Sequence, residues 1–305
     1  MSARSGKNKP QTKCLTGQVV AAFGRHYSVE TATGETISCV MRGKKGGIAC
    51  GDQVEYQLTT VGQGVIETVQ QRTSLLYRSD AFKEKIIAAN VTQIIIVVAA
   101  TPSFSEELIN RCLVAAESEN IKVLIVLNKA DLIEPTQTAM ETLSLYQNLG
   151  YAVLQLSATQ DISALRPYLS GHLSVLAGQS GMGKSTLLNA LIPKARRATA
   201  EISLALDSGT HTTTHSHLYR LDGNSAIIDS PGFQEFGLNH IKAENLAWGF
   251  MEFHPYIGRC KFNDCHHTRE PGCAVLLAVQ QGKIHSKRLA FYQKLLRHDE
   301  FSASI

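Results

Sequence analysis

The sequence predicts an α/β protein built from three parts, and three patterns along its 305 residues support that prediction. Short β-prone pieces alternate with glycine turns over 16–70, which is typical of a small barrel. Continuous β-branched runs at 93–100 and 123–127 are typical of a parallel sheet buried on both faces. Three cysteines and two adjacent histidines lie between 260 and 273, a spacing that favours a bound metal in a reducing compartment.

The composition is that of an ordinary globular chain, with 44% hydrophobic and 18% charged residues. A net charge of +4 permits an acidic partner such as RNA without requiring one. The longest apolar run, 94–100, is far shorter than the roughly 20 residues of a membrane helix, and the polar N-terminus lacks a secretion signal. We therefore expect no membrane span, a cytoplasmic location and, by default, a monomer. The expected segments are a basic tail at 1–15, a barrel at 16–71, an α/β domain at 72–235 and a metal-bound helical domain at 236–305.

The first expected domain is an all-β barrel of the oligonucleotide-binding (OB) kind. Five short strands fall within about 55 residues, which suits that fold. Its basic loop at 42–47 has two interpretations: it tracks a phosphate backbone, with Phe23 or Tyr27 available for stacking, or it is a solvated turn.

The α/β domain is expected to alternate buried strands with helices. Ser105 followed by two acids predicts a helix start, and 173–177 predicts a buried strand leading into a glycine loop and a helix at 185–191. Segments 218–221 and 225–229 flank an Asp-Gly-Asn turn, which predicts an antiparallel hairpin at the edge of the sheet.

The glycine loop at 178–185 matches the pattern G-x-x-x-x-G-K-[ST] of a phosphate-binding P-loop. Its backbone N–H groups are expected to surround phosphate oxygens at a helix N-terminus. Lys184 is expected to reach the β- and γ-phosphates, and the Ser185 hydroxyl to ligate Mg²⁺. The predicted phosphate contacts are Gly178, Gln179, Ser180, Gly181, Met182, Gly183, Lys184, Ser185 and Thr186.

The base is predicted by a second motif, Asn128-Lys129-Ala130-Asp131, which follows a buried strand. The Asp131 carboxylate can accept from guanine N1–H and N2–H₂, which adenine does not offer. Lys129 is expected to lie along the base, Asn128 to tie this loop to the phosphate loop, and Ser157-Ala158 to offer an N–H to guanine O6.

Two further motifs complete the pattern of a GTPase. Asp229-Ser230-Pro231-Gly232 is expected to supply a carboxylate near Mg²⁺ and the Gly232 N–H for the γ-phosphate. The threonine run at 212–214 is expected to complete the magnesium shell, with Thr213 as the predicted ligand. Because the guanine motif precedes the phosphate loop, the reverse of the usual order, we expect a circularly permuted GTPase domain.

The cysteine cluster predicts one structural zinc ion bound by Cys260, Cys265, His267 and Cys273, with His266 as a rival ligand. The last helix is basic, carrying Lys283, Lys287, Arg288, Lys294 and Arg297. It is interpreted either as a solvated face or as an RNA contact.

Together these motifs resemble one family, the circularly permuted GTPases of small-ribosomal-subunit maturation called RsgA or YjeQ. The resemblance also includes Arg72-Thr73-Ser74, the segment 87–90 and Glu235-Phe236-Gly237-Leu238. It implies an OB barrel, a permuted GTPase and a zinc-binding helical domain that dock on the small subunit and its rRNA, with GTP hydrolysis stimulated by that particle.

The chain has Phe233 where many GTPases carry a water-orienting glutamine. The family's histidine before the threonine run matches His211, and we hypothesise that His211 positions the attacking water. The family usually has Gly-Arg or Gly-Gln before this histidine, whereas the chain has Gly209-Thr210.

Two alternative functions also agree with parts of the sequence. An RNA-binding assembly protein that holds GTP only as a structural ligand agrees with the missing glutamine. A metabolic P-loop kinase does not account for Asp131 or for the zinc cluster.

Overall fold

The computed structural model describes residues 14–43, 47–80, 83–192, 216–230 and 237–297. Eleven of its strands form one continuous sheet, in which a barrel adjoins a mostly parallel sheet. The barrel strands are β1 (Leu15–Phe23), β2 (His26–Thr31), β3 (Thr36–Met41), β4 (Gln53–Thr60) and β5 (Gln63–Val69). The prediction of five strands in this region is confirmed.

Pairing of β1 with β4 closes the barrel around a small core that includes Val19, Val29 and Tyr56. Tyr27 belongs to this core and is only 6% exposed, so its predicted role as a stacking platform is wrong. Tyr27 and Val29 are two residues apart on β2, so both side chains lie on the same, inward face of the strand. In the basic loop, Arg42 lies 3.1 Å from Glu67, while 44–46 lie outside the described residues.

The central sheet confirms the predicted parallel arrangement. Its parallel strands are β8 (Gln93–Ala99), β9 (Lys122–Asn128), β10 (Ala152–Gln155), β11 (Leu173–Ala177) and β13 (Ala226–Asp229), and β12 (His217–Arg220) pairs antiparallel with β13. Every residue of β8 is buried because alternate side chains enter two different cores. Ile94 and Ile96 face the larger core, whereas Ile95 and Val97 face the smaller one.

Helices cover both faces of this sheet. They are α1 (Glu106–Ser118), α2 (Ile133–Asn148), α3 (Arg166–Leu169) and α4 (Lys184–Leu191), with a 3₁₀ turn at Ser163–Leu165. Ser105 caps α1 as predicted, since its hydroxyl accepts from the Leu108 N–H at 3.3 Å. Of the helices in the described part of the chain, none combines the length and apolar character needed to span a bilayer.

A separate hairpin pairs β6 (Leu75–Asp80) with β7 (Lys83–Ala89). In sequence, it lies between the barrel and the central sheet. It was not predicted from the sequence. It contacts the chain beyond the Asp229 motif, because the Gly237 N–H donates to the Tyr77 carbonyl at 3.0 Å. The Tyr77 ring also packs on His240, with 4.4 Å between the ring centroids.

The C-terminal region contains 3₁₀ segments at Ala243–Gly249 and Met251–Phe253, then α5 (Ala274–Gln280) and α6 (Ser286–Arg297). It has no separate core among the described residues: Phe250, Phe253 and Tyr292 belong to the same cluster as the buried side chains of α1.

The prediction that the last helix presents its basic residues to solvent or RNA is wrong for Arg288, which is completely buried. Its Nε lies 2.5 Å from Glu252 Oε1 and its NH1 donates to Asn110 Oδ1 at 2.6 Å. Lys287 and Lys294, on the same helix, pair with Glu106 and Glu107 of α1. Lys287, Arg288 and Lys294 of α6 therefore pair with groups on α1 and with Glu252, which fastens this helix to the rest of the fold.

Candidate nucleotide and zinc sites

The phosphate loop lies where the sequence predicts it, between β11 and α4 at the carboxyl end of the parallel strands. At two of its positions, backbone conformation and close packing both require glycine. Gly178 (φ 141°) and Gly183 (φ 90°) occupy the left-handed half of φ space, and a Cβ at Gly178 would overlap the Val97 carbonyl. A Cβ at Gly183 would overlap the Asn128 side-chain amide. Met182 anchors the loop in the smaller core.

Lys184 lies inside the curve of this loop. Its Nζ donates to the carbonyls of Gly178 and Gln179 at 2.5 and 2.6 Å. Burial lowers the pKa of its ammonium, and the Asp229 carboxylate opposes that shift. Burial in turn raises the pKa of Asp229, opposed by Lys184 and by the Ser230 N–H. The two groups therefore stabilise each other's charged forms at the point where phosphate and Mg²⁺ are expected.

Asn128 joins the two predicted halves of the nucleotide site. Its Nδ2 donates to the Met182 carbonyl in the phosphate loop at 2.9 Å, and its Oδ1 accepts from the Ala158 N–H at 2.9 Å. The side chain is 2% exposed, so both hydrogen bonds are shielded from water. The structure thus brings together residues 128, 157–158 and 178–185, as the sequence predicts.

The residues expected to contact the base differ in exposure: Asp131 is exposed and Lys129 half-buried, whereas Ser157 and Ala158 are buried. Asp131 lies at the start of the segment leading to α2. Lys129 adopts a left-handed conformation (φ 63°), and its Nζ donates to the Thr101 carbonyl at 2.8 Å. Since the Ala158 N–H donates to Asn128, a contact from Ala158 to guanine O6 must share that hydrogen. The predicted roles of these residues, and of Ser157, stay predictions.

Two predicted magnesium and phosphate ligands, Ser185 and Thr186, have exposed side chains in the first turn of α4. Thr213, His211 and Gly232 lie outside the described residues, as does Phe233.

The segment that follows β8 also belongs to this site, although no sequence motif indicated it. Besides the Lys129 contact with Thr101, the Ser105 N–H donates to Gln179 Oε1 in the phosphate loop at 2.8 Å. This segment was predictable from its position, because loops after the carboxyl ends of parallel strands line the ligand crevice. It also begins α1, so it connects the phosphate loop to the helix against which the C-terminal region packs.

The zinc cluster brings together the four predicted ligands, whose donor atoms all lie within 4.8 Å of one another. A tetrahedral zinc with bonds of about 2.3 Å to sulfur and about 2.0 Å to nitrogen places two sulfurs about 3.8 Å apart and sulfur and nitrogen about 3.5 Å apart. Cys260 Sγ and Cys273 Sγ are 3.8 Å apart, and His267 Nδ1 lies 3.5, 3.5 and 3.3 Å from the sulfurs of Cys260, Cys265 and Cys273. The cluster therefore fits a closed Cys₃His site.

The rival ligand His266 is excluded from this cluster, because its side chain is exposed while His267 is 5% exposed. Backbone N–H groups orient two of the sulfurs: Ala274 donates to Cys260 Sγ at 3.4 Å and Leu276 to Cys273 Sγ at 3.5 Å. Cys273 thereby also caps α5.

A parallel sheet with a phosphate loop at its carboxyl edge, a guanine motif that precedes that loop, and an appended barrel and zinc cluster define a class: a circularly permuted P-loop GTPase. The chain belongs to the RsgA GTPase family, whose model matches residues 69–239.

Relatives and solved structures agree with this assignment over nearly the whole chain. "Small ribosomal subunit biogenesis GTPase RsgA" of Nitrosospira multiformis is 60% identical over 92% of this chain and 90% of its own length. The protein of the same name from Nitrosomonas europaea is 57% identical over 97% and 95%. The crystal structure of YjeQ from Thermotoga maritima superposes with a TM-score of 0.73 at 35% identity, covering 93% of this chain and 97% of that one. YloQ, described as a circularly permuted GTPase, superposes at 0.70 with 29% identity over 95% and 96%.

Proposed function

We propose that this protein is a GTPase of late small-ribosomal-subunit maturation, which binds the subunit's rRNA and hydrolyses GTP when the subunit stimulates it. The names of its relatives support the ribosomal role. The observation that carries the nucleotide chemistry is the bridge made by Asn128 between the guanine motif and the phosphate loop. A cytoplasmic monomer is part of the proposal.

In the proposed reaction, water attacks the γ-phosphorus, the bond to the β–γ bridging oxygen breaks, and GDP and phosphate leave. Ser185, Thr213 and Asp229 would hold Mg²⁺, which would neutralise charge on the β- and γ-phosphates. Lys184 exchanges its two loop carbonyls for phosphate oxygens. Because Phe233 replaces the usual glutamine, His211 is proposed to position the water.

The Asp131 carboxylate is proposed to select guanine. Asp131→Asn should weaken GTP binding and favour xanthosine triphosphate, because an amide can donate to the xanthine 2-carbonyl that replaces the guanine amine. Competition binding with the two nucleotides measures this preference. An unchanged preference for GTP would remove Asp131 from the base site.

The proposal as a whole is tested by phosphate release from GTP with and without purified small subunits. Stimulation by the subunit is expected, together with its loss in Lys184→Ala and a large reduction in His211→Ala. Tight GTP binding with no stimulation would instead favour an RNA-binding assembly protein that holds GTP as a structural ligand. Full stimulated turnover in His211→Ala would remove only the assignment of His211.

A further inference from the structure

A small groove beside the zinc cluster has no part in the nucleotide chemistry. Its volume, about 220 Å³, includes the space between three of the zinc ligands, and its lining also includes Trp248, Phe262, Glu244, Asp264 and Tyr292. Sites for drug-sized ligands usually enclose about 300–1,000 Å³. The groove is therefore sized for a single side chain and is too small for a nucleotide.

Two aromatic rings in this lining are unusually accessible. Trp248, the only tryptophan of the chain, is 51% exposed, and Phe262 is 42% exposed. The indole is held in place by His254, whose Nε2 lies 2.8 Å from the Trp248 carbonyl and whose ring centroid is 5.3 Å from that of Trp248. Exposed but positioned aromatic side chains are typical of binding hot spots. Lys261 Nζ lies over the Phe262 ring, 5.5 Å from its centroid, so this surface already holds one cation against an aromatic ring.

The charge of the lining is negative. Glu244 and Asp264 contribute carboxylates, and among the described residues that line the groove there is no lysine or arginine. Glu244 has a lysine neighbour outside the lining, Lys242, at 3.7 Å, but both side chains of that pair are more than 70% exposed. Such a solvated pair is weak and can be replaced by an incoming cation.

These features distinguish between two kinds of occupant. An RNA base can stack on tryptophan, but its phosphates are repelled by the carboxylates of Glu244 and Asp264, and the described lining contains no lysine or arginine to offset that repulsion. A guanidinium group is planar, stacks on aromatic faces and donates in pairs to carboxylates. We propose that this groove binds an arginine side chain of a basic protein partner, held between Trp248 and the carboxylates of Glu244 and Asp264. The proposal does not rest on GTP hydrolysis.

Trp248 makes the proposal directly testable, because the intrinsic tryptophan fluorescence of the full-length, zinc-loaded protein comes from the groove alone. The protein is titrated with acetyl-Gly-Arg-Gly-amide and, as a matched control, with the same peptide carrying neutral citrulline. A saturable change is expected with the arginine peptide at about millimolar concentration, and binding at least about tenfold weaker with citrulline.

The double variant Glu244→Gln/Asp264→Asn should weaken the arginine peptide several-fold, whereas Lys242→Ala should strengthen it by removing the competing cation. Both changes are at exposed positions, and unchanged zinc content and circular dichroism verify the fold. Equal responses to both peptides, or no effect of the double variant, would overturn the proposal. So would saturable quenching by oligouridylate without a response to arginine, which would assign the groove to RNA.

Discussion

The barrel and the C-terminal region are attached to the central domain in different ways. Of the described residues, two from the barrel, Val20 and Cys50, enter the larger core, against thirteen from the region after residue 236. The barrel is instead joined through polar contacts. Arg72 pairs with the buried Asp52 at 2.7 Å, and Arg220 of β12 pairs with Glu30 of β2 at 2.5 Å.

This difference predicts different responses to damage. An apolar core is non-directional and cooperative, so a loss of packing in the C-terminal region should spread into α1. Ion pairs and hydrogen bonds depend on direction. The polar contacts between the barrel and the central domain should therefore fix the orientation of the barrel, but they should couple its unfolding to that of the central domain less strongly. Four experiments test this contrast, from the largest expected effect to the smallest.

Removal of zinc should have the largest effect, since structural zinc contributes about 10–16 kcal/mol in isolated zinc-binding peptides. Chelation, or Cys265→Ser, should abolish hydrogen-exchange protection in 243–297 and reduce it in α1, while the barrel strands stay protected. The control is Cys14→Ser, because Cys14 is exposed and outside the cluster. Equal loss of protection in the barrel would contradict the contrast.

Arg288→Met should destabilise the protein by about 3–5 kcal/mol, because it leaves Glu252, whose side chain is 5% exposed, without its partner. Lys287→Met is the matched control on the same helix. Its pair with Glu106 is largely exposed, so the expected cost is below about 1 kcal/mol. Urea unfolding measures both values, and similar losses for the two variants would count against the buried clamp.

Arg72→Met should cost about 3 kcal/mol, because Asp52 is fully buried and loses two hydrogen bonds, at 2.7 and 2.8 Å. Arg42→Met, which removes a partner of Glu67 on the same barrel, should cost under about 1 kcal/mol. Unfolding should be measured by barrel-specific hydrogen exchange. If the barrel strands exchange at the same rate in both variants, Asp52 is not what fastens this junction.

Arg220→Met should have the smallest effect on stability, under about 1 kcal/mol, because its pair with Glu30 is partly exposed. A double-mutant cycle with Glu30→Gln isolates the pairwise energy. A coupling energy near zero would mean that the strands alone hold this part of the junction.

Local patterns were sufficient to predict the barrel strands, the central strands β8, β9 and β11, the β12–β13 hairpin and the phosphate loop, since glycine conformation and β-branched runs act over a few residues. The partners of individual side chains were harder to predict. Arg288 shares a helix face with Tyr292 and Leu295 at i+4 and i+7, so its burial was predictable, but its partner Asn110 lies 178 residues away in sequence. Spacing along the chain carries no information about such a contact.

The zinc ligands illustrate the same limit. The cluster was predictable from cysteine spacing, but His266 and His267 are adjacent, and only the backbone decides between them. His267 adopts φ 56°, which directs its ring inward, while the N–H of His266 donates to Glu270. The hairpin β6–β7 was missed because its connection at 79–84 contains no glycine, proline or asparagine to mark a turn. It also contacts Gly237 and Cys50, which are distant in sequence.

Strand β1 pairs with β4 to close the barrel and also with β12 at the edge of the central sheet, where Ala21 lies opposite His217. The barrel is therefore not a module on a flexible tether, whose contribution to binding would depend on linker length and effective concentration. A partner that binds the barrel is therefore also oriented relative to Asp229, which lies two strands away in the same sheet. A partner that recognises the barrel surface is thus held in a fixed orientation relative to the nucleotide site.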